Sequence, residues 1–146
     1  MPLNVRGFHA ERLLAKADVE VAHPKVGASW EGFVIQQIAH LLRAPTEHCF
    51  HWSTHTGAKL DLLVMDGTRR YGFQVRRAEA PKLTRSMRSA LETLNLDRLD
   101  VVHAGTEPYE MAPRVRAIPA TRLEEVLRRA SDRQSGNNAG DALRRR

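Results

Sequence analysis

The chain has a single cysteine, Cys49, in 146 residues. An internal disulfide is therefore excluded, and a reducing compartment suits the free thiol. No apolar run approaches the roughly 18–20 residues a membrane span needs. Met1–Glu20 lacks the continuous apolar stretch of a secretory signal. These absences lead to the expectation of a cytoplasmic protein with no membrane partner. No G-x-x-x-x-G-K-[ST] run occurs, so the phosphate-cradling loop of a P-loop ATPase is missing. Internal repeats are absent too.

What is abundant is basic charge. Lys and Arg number 23 against 17 Asp and Glu, for a formal net charge of +6. Such a surplus points toward a polyanion, or simply toward a solvated surface. Part of it sits in 131–146, which holds Arg133, Arg144, Arg145 and Arg146 against Asp132 and Asp141. This stretch is rich in Ser, Gly and Asn, and it reads as a disordered basic tail. The length suits one domain. The expected layout is an N-terminal helical extension over 1–24, an α/β domain over 25–130, and the tail.

Within the domain the hydrophobic period changes twice. Trp30, Phe33, Val34, Ile38, Leu41 and Leu42 recur at threes and fours, which predicts an amphipathic helix with Ser29 as its cap and Pro45 beyond its end. Cys49–Trp52, Lys59–Met65 and Arg69–Arg76 read as strands. Asp66-Gly67 between the last two is a hairpin signal. Thr84–Leu94 reads as a second helix with Thr84 as its cap, Leu99–His103 as a buried strand, and Thr121–Ala130 as a last helix. Three prolines over Pro108–Pro119 predict an irregular or edge segment. The order helix, three-strand meander, helix, strand predicts an α/β fold with a mixed central sheet, its fourth strand parallel to the meander.

With Asp66-Gly67 as a two-residue turn, Leu60 faces Phe73, Leu62 faces Tyr71 and Val64 faces Arg69. The other face then carries Lys59, Asp61, Gly72, Gln74 and Arg76. Lys59 lies across from Gln74, and Asp61 across from Gly72. Polar side chains around a glycine form a candidate site, although an exposed hairpin face is polar by default. Thr84, Arg85, Ser86 and Arg88 fall in the first turn or so of the second helix, where an anion is favoured. His48, Cys49, His51 and His55 cluster without a zinc-site spacing. Trp30 and Trp52 read as core anchors.

Four segments carry a family resemblance: HPKVGASWEGFVIQQI (His23–Ile38), FHWSTHTGAKLDLLV (Phe50–Val64), GFQVRR (Gly72–Arg77) and APKLTRSMRSALETLNLDRLDVVHAG (Ala80–Gly105). They resemble the domain of unknown function that follows the ATPase module in many prokaryotic AAA+ proteins. More broadly, the pattern is similar to the PD-(D/E)xK nuclease superfamily, which implies a restriction-endonuclease-like core. By that resemblance Glu31 is the helical acid, Asp61 the strand acid, and Gln74-Val75-Arg76 the aligned tripeptide. Asp61 and Gln74 would be the Mg²⁺ ligands of an active member.

The departures from the family pattern lie at those same positions. Lys59 stands near the place of a family acid, and Gln74-x-Arg76 replaces Glu-x-Lys. Phosphodiester hydrolysis with Mg²⁺ needs hard oxygen ligands, mostly carboxylates. Gln74 removes one charge, Lys59 adds an opposing one, and Arg76 stays protonated with a different donor geometry. The expectation is a degenerate nuclease-like accessory domain without a cofactor. It would bind nucleic acid through Arg76, Arg77, Arg85 and Arg88, or bind an ATPase module or another protein. Ion pairs Glu31–Arg76 and Asp61–Lys59 would close the old cleft. The alternatives are a live Mg²⁺-dependent endonuclease and a truncated remnant of an ATP-binding AAA+ protein.

Overall fold

Residues 19–22 and 29–129 are described in the computed structural model of the chain. The expected basic tail, and the expected N-terminal helical extension apart from residues 19–22, lie outside them. Val19–Ala22 forms a strand, β1, within the stretch that the sequence reading assigned to a helical extension. Helix α1 spans Trp30–Leu41. Strands β2 (Cys49–Thr54), β3 (Lys59–Asp66) and β4 (Arg69–Arg76) follow, then helix α2 (Arg85–Thr93) and strand β5 (Arg98–His103). A hairpin of β6 (Tyr109–Ala112) and β7 (Val115–Pro119) leads to a final helix, α3, at 123–129.

The seven strands among the described residues form one mixed sheet in the order β1-β2-β3-β4-β5-β7-β6. The strands β1 to β4 are successively antiparallel, whereas β5 is parallel to both β4 and β7. This is an α/β fold, and each face of the sheet carries its own apolar core. On one face, Val34, Ile35 and Ile38 of α1 and Leu123 and Leu127 of α3 pack on Leu62, Val64, Phe73, Val75 and Val102. On the other, Met87, Ala90 and Leu94 of the α2 region pack on Phe50, Trp52, Leu60, Leu63, Leu99 and Val101. No helix among the described residues is long and apolar enough to cross a membrane.

Both long helices begin where a short polar side chain caps them. The Ser29 hydroxyl accepts the Gly32 N–H, and the Thr84 hydroxyl accepts the Met87 N–H. Helix α1 buries Ile35 and leaves Phe33 exposed, so its inward stripe is rotated from the expected one. The three prolines bracket strands instead of interrupting them. Pro108 precedes β6, Pro113 lies in the hairpin turn, and Pro119 ends β7. As a result β7 is an inner strand, paired on both sides.

Two local features correct the expected hairpin register. Leu62 faces Phe73, Val64 faces Tyr71 and Asp66 faces Arg69. The turn therefore falls on Gly67-Thr68, with Gly67 at φ 61° in the first turn position. Asp66 and Arg69 become an opposite-charge cross-strand pair. A slip of two residues by itself keeps the side chains on their expected faces, and it does so from Leu62 to Val75. The second feature is a bulge. Trp52 pairs with Leu60 and Phe50 with Leu63, so Asp61 and Leu62 together oppose His51. The bulge turns Leu60 onto the α2 face, away from Leu62.

Candidate functional site

The proposed site residues gather at one end of the sheet, where β3 begins, β4 and β5 end, and both long helices start. They do not share one face. Gln74 lies beside Val101 in the parallel register and Arg76 beside His103. Since Val101 packs with Met87 and Ala90, both Gln74 and Arg76 belong to the α2 face. Glu31 sits in the first turn of α1, on the other side of the sheet.

Glu31 is held by Arg77. The Arg77 Nε donates to Glu31 Oε1 at 2.9 Å, where the sequence had suggested Arg76. The reason is alternation: beyond Val75, which packs under α1, the next residue with the same parity is Arg77. The backbone N–H of Glu31 in the first helical turn, and then Arg77, hold its carboxyl below the usual carboxylate range, and Lys59 adds to this. The Arg77 guanidinium also lies 6.0 Å from the centroid of the Trp30 ring.

Asp61 is half-buried in the bulge, and its Oδ2 accepts the Val75 N–H at 2.8 Å. That bond ties the bulged strand to β4, in place of the ion pair with Lys59 that the sequence suggested. Gln74 is 1% exposed, and neither its Oε1 nor its Nε2 has a partner among the described residues. Buried polar atoms without partners are uncommon.

Lys59 connects the site to α2. Its backbone N–H donates to Ser86 Oγ at 2.9 Å, and its carbonyl accepts from the same hydroxyl at 3.3 Å. Lys59, Arg77, Lys82, Arg85 and Arg88 are exposed and Arg76 is half-buried, all on the strands, loop and helix that meet at this end of the sheet. Only the arginines of this set came from sequence reasoning as binding residues. Ser86 gave no signal of its role, because nothing local announces a hydrogen bond to a strand 27 residues away.

These residues do not fit a Mg²⁺ site. Mg²⁺ asks for near-octahedral oxygen ligands, with carboxylates supplying the charge. Here Asp61 is bonded to the backbone, Glu31 is paired with an arginine on the other face, and Gln74 offers a neutral, sealed amide. No cluster of three or more His, Cys, Asp or Glu able to hold a metal occurs among the described residues.

The profile of the family described as domain of unknown function DUF4143 matches residues 26–123. The chain belongs to this family. The match spans Glu31, Asp61, Gln74, Arg76, Arg77, Arg85 and Arg88. Two mycobacterial proteins are also similar to the chain. These are the uncharacterized proteins Rv2008c of Mycobacterium tuberculosis and Mb2031c of Mycobacterium bovis, each 46% identical over 101 residues. The alignment covers 69% of this chain but 22% of each relative, so the chain matches only a small part of those proteins.

The same DUF4143 domain contains a polar residue that the sequence reading passed over. His103 is fully buried at the end of β5. Its Nδ1 accepts the Gly105 N–H at 3.0 Å, its Nε2 has no hydrogen-bond partner among the described residues, and its ring lies 5.7 Å from that of Tyr109. The alternation Leu99, Val101, His103 was the available signal. Gly105 has to lack a side chain, because a Cβ there would strike the Glu79 carbonyl. Burial pushes the His103 pKa below 6.5, against the pull of the Glu107 and Glu79 backbones. The unfolded imidazole thus binds a proton more readily than the folded one. Stability from neutral His103 is full above about pH 6.5 and is lost as pH falls through the lower folded value. Thermal melts between pH 7 and pH 5 should fall less steeply for His103→Gln than for the parent; equal slopes would refute this assignment.

Proposed function

We propose that this domain is a nuclease-like accessory module that binds nucleic acid without cutting it. The reading combines a restriction-endonuclease-like core with a site whose oxygen ligands have been withdrawn. Its principal support is the state of that site: Asp61 is tied to Val75, Gln74 is sealed and partnerless among the described residues, and exposed Lys59, Arg77 and Arg85 with half-buried Arg76 belong to the elements that meet at the same end of the sheet. Hydrolysis has one carboxylate to use there, Asp61, already bonded through Oδ2, whereas a phosphate backbone has several positive side chains to lie along. A cytoplasmic setting beside an ATPase module is part of this proposal and rests on the family resemblance; the matched stretch makes up 22% of the relatives, which leaves room in those proteins for a further module.

The test is binding and cleavage in the same samples. Each phosphate neutralised by Lys or Arg releases counterions, so affinity should fall with salt. Four phosphate contacts would give a log–log slope of about −3. Charge reversal at Arg85 and Arg88 should weaken binding to all sequences alike, because phosphate contacts do not read bases. No strand should be cut with Mg²⁺ or Mn²⁺. Cleavage by the parent that Asp61→Ala abolishes would establish a live endonuclease and overturn this reading.

A further inference from the structure

Among the described residues, Phe33 is the exposed large hydrophobic side chain, at 57%. It lies one helical turn from Trp30, so the two share one stripe of α1. Trp30 is half-buried and carries the Arg77 guanidinium near its ring. Arg77 is itself 66% exposed and oriented by Glu31. An aromatic pair therefore adjoins the basic end of the sheet. From there the chain leads to Lys59, whose backbone is bonded to Ser86 of α2, the helix that carries Arg85 and Arg88 on the opposite face.

We infer that this surface takes single-stranded nucleic acid, with a base stacking on the exposed Phe33 ring beside Trp30. The phosphates then follow Arg77 and Lys59 across the end of the sheet to α2. The inference rests on the proposed nucleic-acid binding and adds strand form to it. Two observations favour this occupant. Arg77 beside Trp30 and Lys59 near the same Glu31 carboxylate outnumber that one acid, and the remaining positive charge is complementary to a polyanion, as it would not be to a basic protein surface. The exposed ring is useful only where bases are unpaired, because a duplex keeps its base faces stacked inside. Aromatic side chains interleaved with Arg and Lys are how sequence-tolerant single-strand binders work.

The experiment uses the full chain, with a fluorescein-labelled oligothymidine and a blunt duplex of matched length, read by anisotropy at low salt. Phe33→Ala should weaken oligothymidine binding by about tenfold, the worth of one stacked base, and leave duplex binding unchanged. The Phe33→Trp variant should bind at least as well as the parent, with emission quenched by oligothymidine and not by the duplex. Phe33 is exposed, so both variants should melt with the parent. Equal oligothymidine affinity for Phe33→Ala and parent would overturn the stacking platform and leave the binding reading standing. A parent that binds neither probe would overturn both and reassign the aromatic pair to a protein partner.

Discussion

Replacing Gln74 by leucine should make the domain more stable, by about 1–3 kcal/mol, while replacing it by glutamate should cost several kcal/mol at neutral pH. The amide is buried at the end of β4, with neither of its polar atoms partnered among the described residues. It has given up its hydration and regains nothing, a penalty that a leucine of similar volume avoids. The neighbouring surface is apolar, with Val101 beside it and Met87 and Leu60 in the same core. Glutamate places a charge where leucine places none, on the strand whose Val75 N–H already serves Asp61. Burial raises the folded pKa of such an acid above its unfolded value near 4.3. The penalty is therefore absent below the unfolded value and grows as pH rises toward the folded one. Urea unfolding at pH 4.5 and pH 7.5 separates the two substitutions. A Gln74→Leu variant less stable than the parent would mean that the amide is satisfied in the folded protein, and the sealed, partnerless state of Gln74 would be refuted.

Local signals were legible in the sequence, and long-range ones were not. Ser29 and Thr84 could be read as helix caps because a cap is settled within three residues. The strand spans followed from period two. The bulge at Asp61 did not, because it is set by which residues of β2 meet β3, and Leu60 and Leu63 reach one face only through Phe50 and Trp52. Gly67 was seen as turn-forming, but its place within the turn depends on the strand ends that Asp66 and Arg69 extend. Phe33 and Ile35 were exchanged because α1 is apolar on more than one stripe near its start. The prolines of 108–119 were read as breakers, whereas each falls at a strand boundary or turn.

The site divided along the same line. Asp61, Gln74, Arg76 and Glu31 came from a resemblance, and the structure brings them to one end of the sheet but on two faces. Which arginine meets Glu31 depended on the side of the sheet that α1 covers, a question the hairpin alone cannot answer. Lys59 carried a recognisable charge, yet its hydrogen-bonded pair with Ser86 is purely tertiary. His103 was within reach of the alternation argument. Its burial beneath the Glu79 segment was not, because that depends on Gly105 admitting the chain.

Restoring acidic ligands should create a metal response that the parent lacks. The triple variant Lys59→Glu, Gln74→Glu, Arg76→Lys adds two carboxylates and removes a cation beside Asp61, which should favour a hard divalent ion. Without metal it should be less stable than the parent, since the carboxylate introduced by Gln74→Glu would be buried on the α2 face with no cation within its core. With Mn²⁺ at a hundredfold excess over Kd, it should recover about 2.7 kcal/mol, because a ligand that binds only the folded state stabilises it by mass action. The parent melt should not move. Recovery of cleavage is not expected, because a displacement of about 1 Å between reacting groups is enough to suppress rate even where ligands are present. The bulge also ties the Asp61 carboxylate to Val75. Calorimetry with Mn²⁺ on both proteins checks the ordering. Binding by the parent that Asp61→Ala removes would show that one carboxylate and a buried amide suffice, and the site would be a functioning metal centre after all.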